Sequence, residues 1–120
     1  MFVDVTFTKM QTRFQFIVGH APTDASDLND KDDFLEALVN VHQRLQHIAP
    51  GARRVLFLDA NARVGTVPAA CFGTCQPEPE NANGQRLRSA LMTMRQAAVN
   101  TFFSCGYTWR PSYNTTWRIE

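Results

Sequence analysis

One stretch near the middle of the chain constrains the fold more than any other. Val55–Leu58 form a short apolar run, the pattern of a strand covered on both faces, and Asp59 and Asn61 follow it directly. In α/β folds, polar groups just past the carboxyl end of a central strand commonly line the ligand crevice. An acid and an amide there can orient a water, hold an oxyanion or share a divalent cation. The alternative is an ordinary turn, because Asp and Asn are both common turn formers.

Length and composition fit one modest globular domain. The chain has 120 residues, 44% of them hydrophobic, and nine Phe, which is enough for a packed core. No apolar run approaches the roughly 20 residues that cross a bilayer, and polar residues interrupt the start of the chain where a signal peptide would be apolar. The expectation is an intracellular protein, nuclear or cytoplasmic, with no membrane partner.

The cysteines favour a reducing compartment. Cys71, Cys75 and Cys105 leave one thiol unpaired in any disulfide scheme. The spacing of Cys71 and Cys75 also lacks the second ligand pair that a zinc knot requires. Free thiols are the simplest expectation.

Charge is distributed unevenly along a chain whose net charge is only +1. A short acidic segment holds Asp24, Asp27, Asp30, Asp32, Asp33 and Glu36. From Asn81 onward, five Arg residues stand against a single acid, and Arg makes up ten of the twelve basic residues of the chain. Arg is the side chain best suited to bidentate phosphate contact, so a basic half is compatible with nucleic acid. A solvated Arg-rich helix face is the commoner explanation.

Alternation of apolar and polar residues predicts a β-hairpin at the start of the chain. Phe2–Phe7 form its first strand and Lys9–Thr12 carry the polar turn chemistry. The second strand stops before Pro22, which cannot continue a ladder. His20 therefore lies at a strand end, as Asp59 does.

Helical spacing predicts two helices. The first begins at the acidic segment with Asn29 or Asp30 as its cap, ends near Pro50, and has an apolar stripe of Phe34, Leu38, Val41, Leu45 and Ile48. Its acids suit the positive end of a helix dipole, so no metal site is expected there. The second helix begins at Asn83 or Gly84, with an apolar face of Leu87, Ala90, Leu91, Met94 and Ala98.

The remaining segments complete an α/β pattern with mixed strand directions. Val64–Asn83 read as a long loop without periodicity, a kind of segment that is usually functional or mobile. Val99–Phe103 are predicted to form a strand, and the last predicted elements are two short strands, Tyr107–Trp109 and Thr116–Ile119.

Four segments, in order along the chain, resemble the endonuclease/exonuclease/phosphatase superfamily, especially the apurinic-endonuclease-like domains of non-LTR (LINE-type) retrotransposons. Phe16-Ile17-Val18-Gly19-His20-Ala21-Pro22 resembles a strand that ends in a Tyr-x-Pro motif. Leu58-Asp59-Ala60-Asn61 resembles the Gly-Asp-x-Asn motif. Asn81-Ala82-Asn83-Gly84 is similar to the Asn-Gly loop of the retroelement branch. Tyr107-Thr108-Trp109, followed by Trp117-Arg118-Ile119-Glu120, resembles a Thr-Trp and Arg-Ile-Asp pair.

The resemblance implies part of a four-layer α/β/β/α sandwich, in which two mixed sheets pack together between helices. It also implies hydrolysis of phosphodiester bonds in DNA, with Mg²⁺ or Mn²⁺ as cofactor and RNA as the alternative partner. By position, Asp59 orients or deprotonates the attacking water and Asn61 holds a phosphate oxygen, and both are implied metal ligands. His20 stands where the family places Tyr. Glu120 stands where the family places the Asp that orients a catalytic His.

Contacts with nucleic acid are implied for four further residues: Arg63, Asn83, Thr108 and Trp109. Aromatic faces such as that of Trp109 stack on bases, although core packing is the alternative for a Trp in any domain. These four residues are therefore expected to border the groove that holds the DNA.

The resemblance covers only the middle to late part of the family domain. The opening strands, with an Asn and a metal-binding Glu, and the closing Asp-His segment have no counterpart in this sequence. The expectation is a single partial domain over residues 1–120, with weak or no catalysis by the isolated chain. Two alternatives stay open: a non-catalytic, nucleic-acid-binding remnant of a retroelement, or a fragment that folds only with the flanking regions of a larger retroelement polyprotein.

Overall fold

A three-stranded sheet and two α-helices form the regular structure of the computed structural model, which describes residues 2–7 and 12–104. In chain order the elements are β1 (Phe2–Phe7), β2 (Thr12–His20), α1 (Leu28–Ile48), β3 (Arg53–Asp59), α2 (Ala82–Met94) and a 3₁₀ helix (Val99–Thr101). The α/β class is confirmed. The chain divides into two units, residues 1–60 and 61–120, which are described in turn.

The sheet of the first unit has the order β1-β2-β3. β1 and β2 are antiparallel, so the predicted hairpin is confirmed, although its turn lies outside the described residues. β2 and β3 are parallel, with a register that runs from Phe14 opposite Arg53 to His20 opposite Asp59. Because parallel strands end at the same edge of a sheet, this register places both predicted strand-end residues side by side.

Helix α1 covers one face of this sheet. Gln15 and Ile17 of β2 are buried, and a Cβ added to Gly19 would lie 3.1 Å from Leu58 of β3 and 3.4 Å from the Phe34 ring of α1. Arg54 of β3 also reaches toward α1, since its Nη1 donates to the side chain of Gln15 at 3.2 Å and to a carbonyl just past the helix end at 3.3 Å. This carbonyl belongs to Ala49, the C-cap residue of α1, and it also accepts the N–H of Ala52 at 3.1 Å.

The ends of α1 correct one sequence prediction. Asp27, not Asn29 or Asp30, caps the helix, because its carboxylate accepts a hydrogen bond from the backbone N–H of Asn29 at 2.9 Å. The predicted apolar stripe is confirmed at Leu38 and Leu45, which are buried. It is wrong at Ile48, which is 57% exposed as the last residue of the helix.

The sheet face opposite α1 is apolar and partly exposed. The rings of Phe14 and Phe16 stack with centroids 6.1 Å apart, and Phe57 of β3 continues the row at 6.1 Å from Phe16. Phe57 is nevertheless 57% exposed and Val18 is 40% exposed. The prediction that Val55–Leu58 is covered on both faces is therefore wrong for the described residues, since α1 covers only one side.

In the second unit, a long irregular segment leads into α2. The predicted loop is confirmed as far as Asn81 and includes one isolated bridge between Gly65 and Glu78, but α2 begins at Ala82 and not at the predicted Asn83 or Gly84. The predicted apolar face of α2 is confirmed for Leu87, Ala90, Leu91 and Met94, all of them buried. Ala98 lies beyond the helix, because Arg95 adopts a left-handed conformation with φ 54° and Gln96 donates its N–H back to Leu91, a Schellman-type ending.

Val99–Thr101 form a 3₁₀ helix, so the strand predicted for Val99–Phe103 is wrong. Two hydrogen bonds of the Thr101 hydroxyl, one of them to a residue far away in the sequence, account for the difference. This hydroxyl donates to the carbonyl of Ala98 at 2.6 Å and accepts the N–H of Gly73 at 2.8 Å. These bonds hold the segment against the loop rather than along a strand. The strands predicted for Tyr107–Trp109 and Thr116–Ile119 lie outside the described residues.

Neither described helix combines the length and the apolar character that a bilayer span requires.

Buried His42 predicts a pH dependence of stability. Its side chain is 1% exposed within α1, and burial, followed by the positive charge of Arg54, lowers its pKa. The unfolded chain, with an ordinary His pKa of about 6.5, then binds a proton that the folded chain does not. The free energy of unfolding is therefore expected to have its highest value, as far as His42 is concerned, above about pH 6.5 and to fall as the pH drops below that value.

The measurement is urea unfolding of the wild type and of His42→Gln at neutral pH and at mildly acidic pH. The variant, which has no titrating imidazole at this position, is expected to show a smaller difference between the two conditions. His47→Gln is the control, because His47 is exposed on the same helix and its replacement is expected to keep the wild-type dependence. An equal dependence in wild type and His42→Gln contradicts the prediction.

Candidate active site

The two predicted residues at the ends of β2 and β3 meet in the first unit. His20 Nε2 lies 3.3 Å from Asp59 Oδ2, and the backbone N–H of Ala21, just after His20, donates to the carbonyl of Asp59 at 2.7 Å. The parallel register and this backbone hydrogen bond fix the ends of β2 and β3 relative to each other. The two side chains therefore lie at the same edge of the sheet. We call them the His20–Asp59 pair.

Stability does not account for the His20–Asp59 pair. The side chains are 70% and 46% exposed, and ion pairs this open to water contribute only about 0–1 kcal/mol to stability. A carboxylate and an imidazole in contact at a strand end are instead suited to proton transfer and to holding a water or an anion.

A divalent cation fits the first unit only in part. Asp59 offers a partly exposed carboxylate, the hard oxygen ligand that Mg²⁺ prefers. Within residues 2–7 and 12–104, however, no three His, Cys, Asp or Glu side chains converge on one point. Since Mg²⁺ often binds through one or two carboxylates together with waters and substrate phosphates, the donor set fits such a site and not an all-protein cage.

In the second unit, one asparagine side chain organises the start of α2. Asn81 Oδ1 accepts the N–H of Gly84 at 2.8 Å, which caps the helix, and also accepts the N–H of Arg63 at 2.9 Å. The backbone N–H of Asn81 returns a bond to the Arg63 carbonyl at 3.4 Å. Asn81 thereby joins the segment that follows Asn61 to the N-terminus of α2, and we call this arrangement the Asn81 junction.

Three residues predicted to contact DNA or phosphate belong to the Asn81 junction. Asn61 has a left-handed backbone with φ 45°, and Asn83 Nδ2 donates to its carbonyl at 3.0 Å. Asn83 is 7% exposed, so its visible role is to hold the turn at Asn61. Arg63 is half-buried and its backbone bonds Asn81. Their roles toward nucleic acid stay predictions.

A salt bridge lies beside the Asn81 junction and was missed from the sequence. Arg88 donates through Nε and Nη2 to the two carboxylate oxygens of Glu80, both at 2.9 Å. The Glu80 side chain is 10% exposed, and its hydrogen bonds raise the pKa of Arg88. One of the arginines of the basic half is therefore committed to an internal contact and is not available to phosphate.

Within its described residues, 61–104, the rest of the second unit has few groups suited to catalysis or binding. Cys71 is 3% exposed and burial raises the pKa of its thiol, which disfavours a thiolate nucleophile. An open hollow of about 470 Å³ lies along residues 65–74, lined by small and apolar side chains without a titratable group. Cys71 and Cys75 are free thiols, as predicted, and Cys105 lies outside the described residues.

Sequence reasoning found the His20–Asp59 pair as two separate strand ends but not their contact. The missing information was the register of β2 and β3, because the crossover through α1 makes the two strands parallel but does not fix which residues lie opposite one another. The role of Asn81 could have been predicted from the sequence, because an Asn directly before the first turn of a helix is a typical N-cap. Thr108, Trp109 and Glu120, predicted for DNA contact and catalysis, lie outside the described residues.

No family model matches this chain, and no curated protein or solved structure matches it either.

Proposed function

We propose that this chain is part of a Mg²⁺-dependent phosphodiesterase domain of the endonuclease/exonuclease/phosphatase type, of the retrotransposon branch, that acts on DNA and is weak in this chain as it stands. The observation that supports the proposal is the contact between His20 Nε2 and Asp59 Oδ2 at 3.3 Å, at the carboxyl ends of two parallel strands. Ligand sites of α/β sheets form at such ends.

The proposed roles follow from the chemistry of the two groups. Asp59, acceptor-only when ionised, orients the attacking water and takes its proton. The imidazole of His20 can donate an N–H to Asp59 and so hold its carboxylate in place. For Asn61 the support is the resemblance of Leu58-Asp59-Ala60-Asn61 to the family motif, by which Asn61 would add an amide donor to the phosphate. Groups placed in advance in this way contribute a few kcal/mol each to lowering a barrier, by the usual magnitudes.

In this proposal Asp59 would hold Mg²⁺ together with substrate oxygens, and the ion would supply charge neutralisation at the phosphate. Asn61 is the second proposed ligand. Both provide hard oxygen atoms, in keeping with the preference of the ion.

The four-layer sandwich belongs to the same proposal. The sheet face opposite α1 carries Phe14, Phe16 and Phe57 in one stacked row, and Phe57 is 57% exposed. An apolar sheet face that no helix covers among the described residues offers a surface on which a second sheet can pack in a sandwich. This supports an α/β/β/α arrangement with β1-β2-β3 as part of one inner sheet.

The test is nicking of supercoiled plasmid DNA by the full chain in Mg²⁺, with EDTA as the first control. Slow nicking that requires Mg²⁺ is expected. Asp59→Ala is expected to remove it, whereas Asp33→Ala, an exposed acid on α1, is expected to leave it unchanged.

Each other outcome contradicts a stated part of the proposal. Nicking that persists in Asp59→Ala rules out this site. Fast nicking that Asp59→Ala abolishes contradicts the expected weakness. DNA binding that weakens steeply with salt, without any nicking, contradicts the enzyme and favours the nucleic-acid-binding remnant.

A further inference from the structure

Strand β3 has one side without a partner strand in the described part of the chain. It pairs with β2 along one side, and the sheet order ends with it. Seven residues long, it has no proline or bulge, and its charged side chains lie only at its two ends. Edge strands with these properties are templates for pairing with another strand, because their outer N–H and C=O groups face solvent.

The sequence of β3 is complementary to itself when it is written antiparallel and centred on Leu56. Arg53 then lies opposite Asp59 of the second copy, and Val55 lies opposite Phe57 of the second copy, each twice across a twofold axis. Opposite charges and a β-branched–aromatic pair are both favourable directly across an antiparallel ladder. A parallel pairing in the same register would oppose Arg53 to Arg53 and Asp59 to Asp59, which is unfavourable.

Side-chain direction is consistent with this register. Arg54 and Leu58 point to the α1 side, where Arg54 bonds Gln15 and Leu58 approaches Gly19. Because side chains alternate along a strand, Arg53, Val55, Phe57 and Asp59 share the opposite face, as the stacking of Phe57 on Phe16 shows. Directly opposite residues of an antiparallel pair lie on the same face, so the charged pairs and the exposed Phe57 can all be matched at once.

We propose that two copies of this chain pair through β3 in this antiparallel register and form one continuous six-stranded sheet. A twofold interface requires the same surface on both copies, which β3 provides. Arg53 of the partner subunit then lies beside Asp59, the acid that contacts His20 at 3.3 Å. The second copy therefore adds a cation to the His20–Asp59 pair. The proposal stands on the geometry of β3 and does not depend on the proposed function.

The test is sedimentation equilibrium of the full chain between about 1 µM and about 1 mM, since a single-strand interface is small and its association weak. A monomer–dimer equilibrium is expected for the wild type. Arg53→Asp and Asp59→Arg each place like charges opposite one another twice, so each is expected to weaken dimerisation about tenfold or more. Arg44→Asp and Asp33→Arg, exposed reversals on α1, are the matched controls and are expected to dimerise like wild type.

Mixing the two weakened variants is the decisive step. A heterodimer of Arg53→Asp with Asp59→Arg restores an opposite-charge pair at both ends of the interface, so the mixture is expected to associate as tightly as wild type. A wild-type chain that stays monomeric throughout the range overturns the proposal. Equal dimerisation by wild type and by both reversal variants, or a mixture no tighter than its components, also overturns it. Because nicking is not measured, failure here is separate from failure of the proposed function.

Discussion

Replacing Gly84 with alanine is expected to lower the free energy of unfolding by about 2 kcal/mol. An added Cβ at this position would overlap the carbonyl oxygen of Arg63 and would lie 3.0 Å from the Arg63 carbonyl carbon and 3.1 Å from Glu80 Cγ. Alanine alone would favour a helix by up to about 1 kcal/mol over glycine. The clash is with backbone, which cannot rotate away, so the overlap outweighs the gain in helix propensity.

The measurement is urea unfolding, with Gly51→Ala as the matched control. A Cβ at Gly51 meets nothing within 4 Å, so this second glycine-to-alanine change is expected to stay within about 0.5 kcal/mol of wild type. A Gly84→Ala variant as stable as Gly51→Ala would mean that the backbone of the Asn81 junction can move away from an added Cβ with little loss of stability. The fixed position of Arg63 relative to α2 would then be wrong.

Much of the secondary structure of the first unit was predictable, because the spacing of its apolar residues clearly has the period of a strand or of a helix. Alternation over Phe2–Phe7 and again after Thr12 identified the hairpin, and helical spacing identified α1. The cap was not predictable, since several Asp and Asn side chains in one short segment are equally able to accept an N–H. The course of the backbone places Asp27 at the cap position, because it follows directly on the turn in which the N–H of Ser26 donates to the Thr23 carbonyl.

The 3₁₀ helix shows the opposite situation. Val99–Phe103 have the apolar and β-branched composition of a strand, and no local pattern contradicts it. The deciding contact comes from Gly73, far away in the sequence, whose N–H bonds the Thr101 hydroxyl. Secondary-structure propensity depends only on residues that are close in the sequence, so it cannot predict the effect of such a contact.

The candidate site was predictable residue by residue but not as a geometry. Each of His20 and Asp59 was identified as a polar group at a strand end, which alternation and the apolar run are enough to show. Their 3.3 Å contact depends on the register of β2 with β3, which places His20 opposite Asp59. A slip of one residue would turn every side chain of one strand to the other face, so this register could not be assumed.

Under the proposed function, the contact of His20 with Asp59 predicts that the two residues act in catalysis as a unit. His20→Gln and Asp59→Asn are each expected to lower the Mg²⁺-dependent nicking rate by roughly 100-fold, the usual scale for one proton-transfer or phosphate-holding group. The double variant is expected to be little slower than Asp59→Asn alone. Groups that work through one another show this non-additivity, because the second change removes an interaction already lost.

The nicking rates of this double-mutant cycle are measured under single-turnover conditions, with the protein in excess over plasmid. These conditions allow slow rates to be measured. His47→Gln and Asp33→Asn, both exposed on α1, form the matched control cycle and are expected to leave the rate unchanged. Unfolding free energies are measured in parallel. They are expected to change by less than about 1 kcal/mol, because the His20–Asp59 pair is exposed. A double variant about 10⁴-fold slower than wild type would mean that the two side chains act independently, and their contact would then have no catalytic meaning.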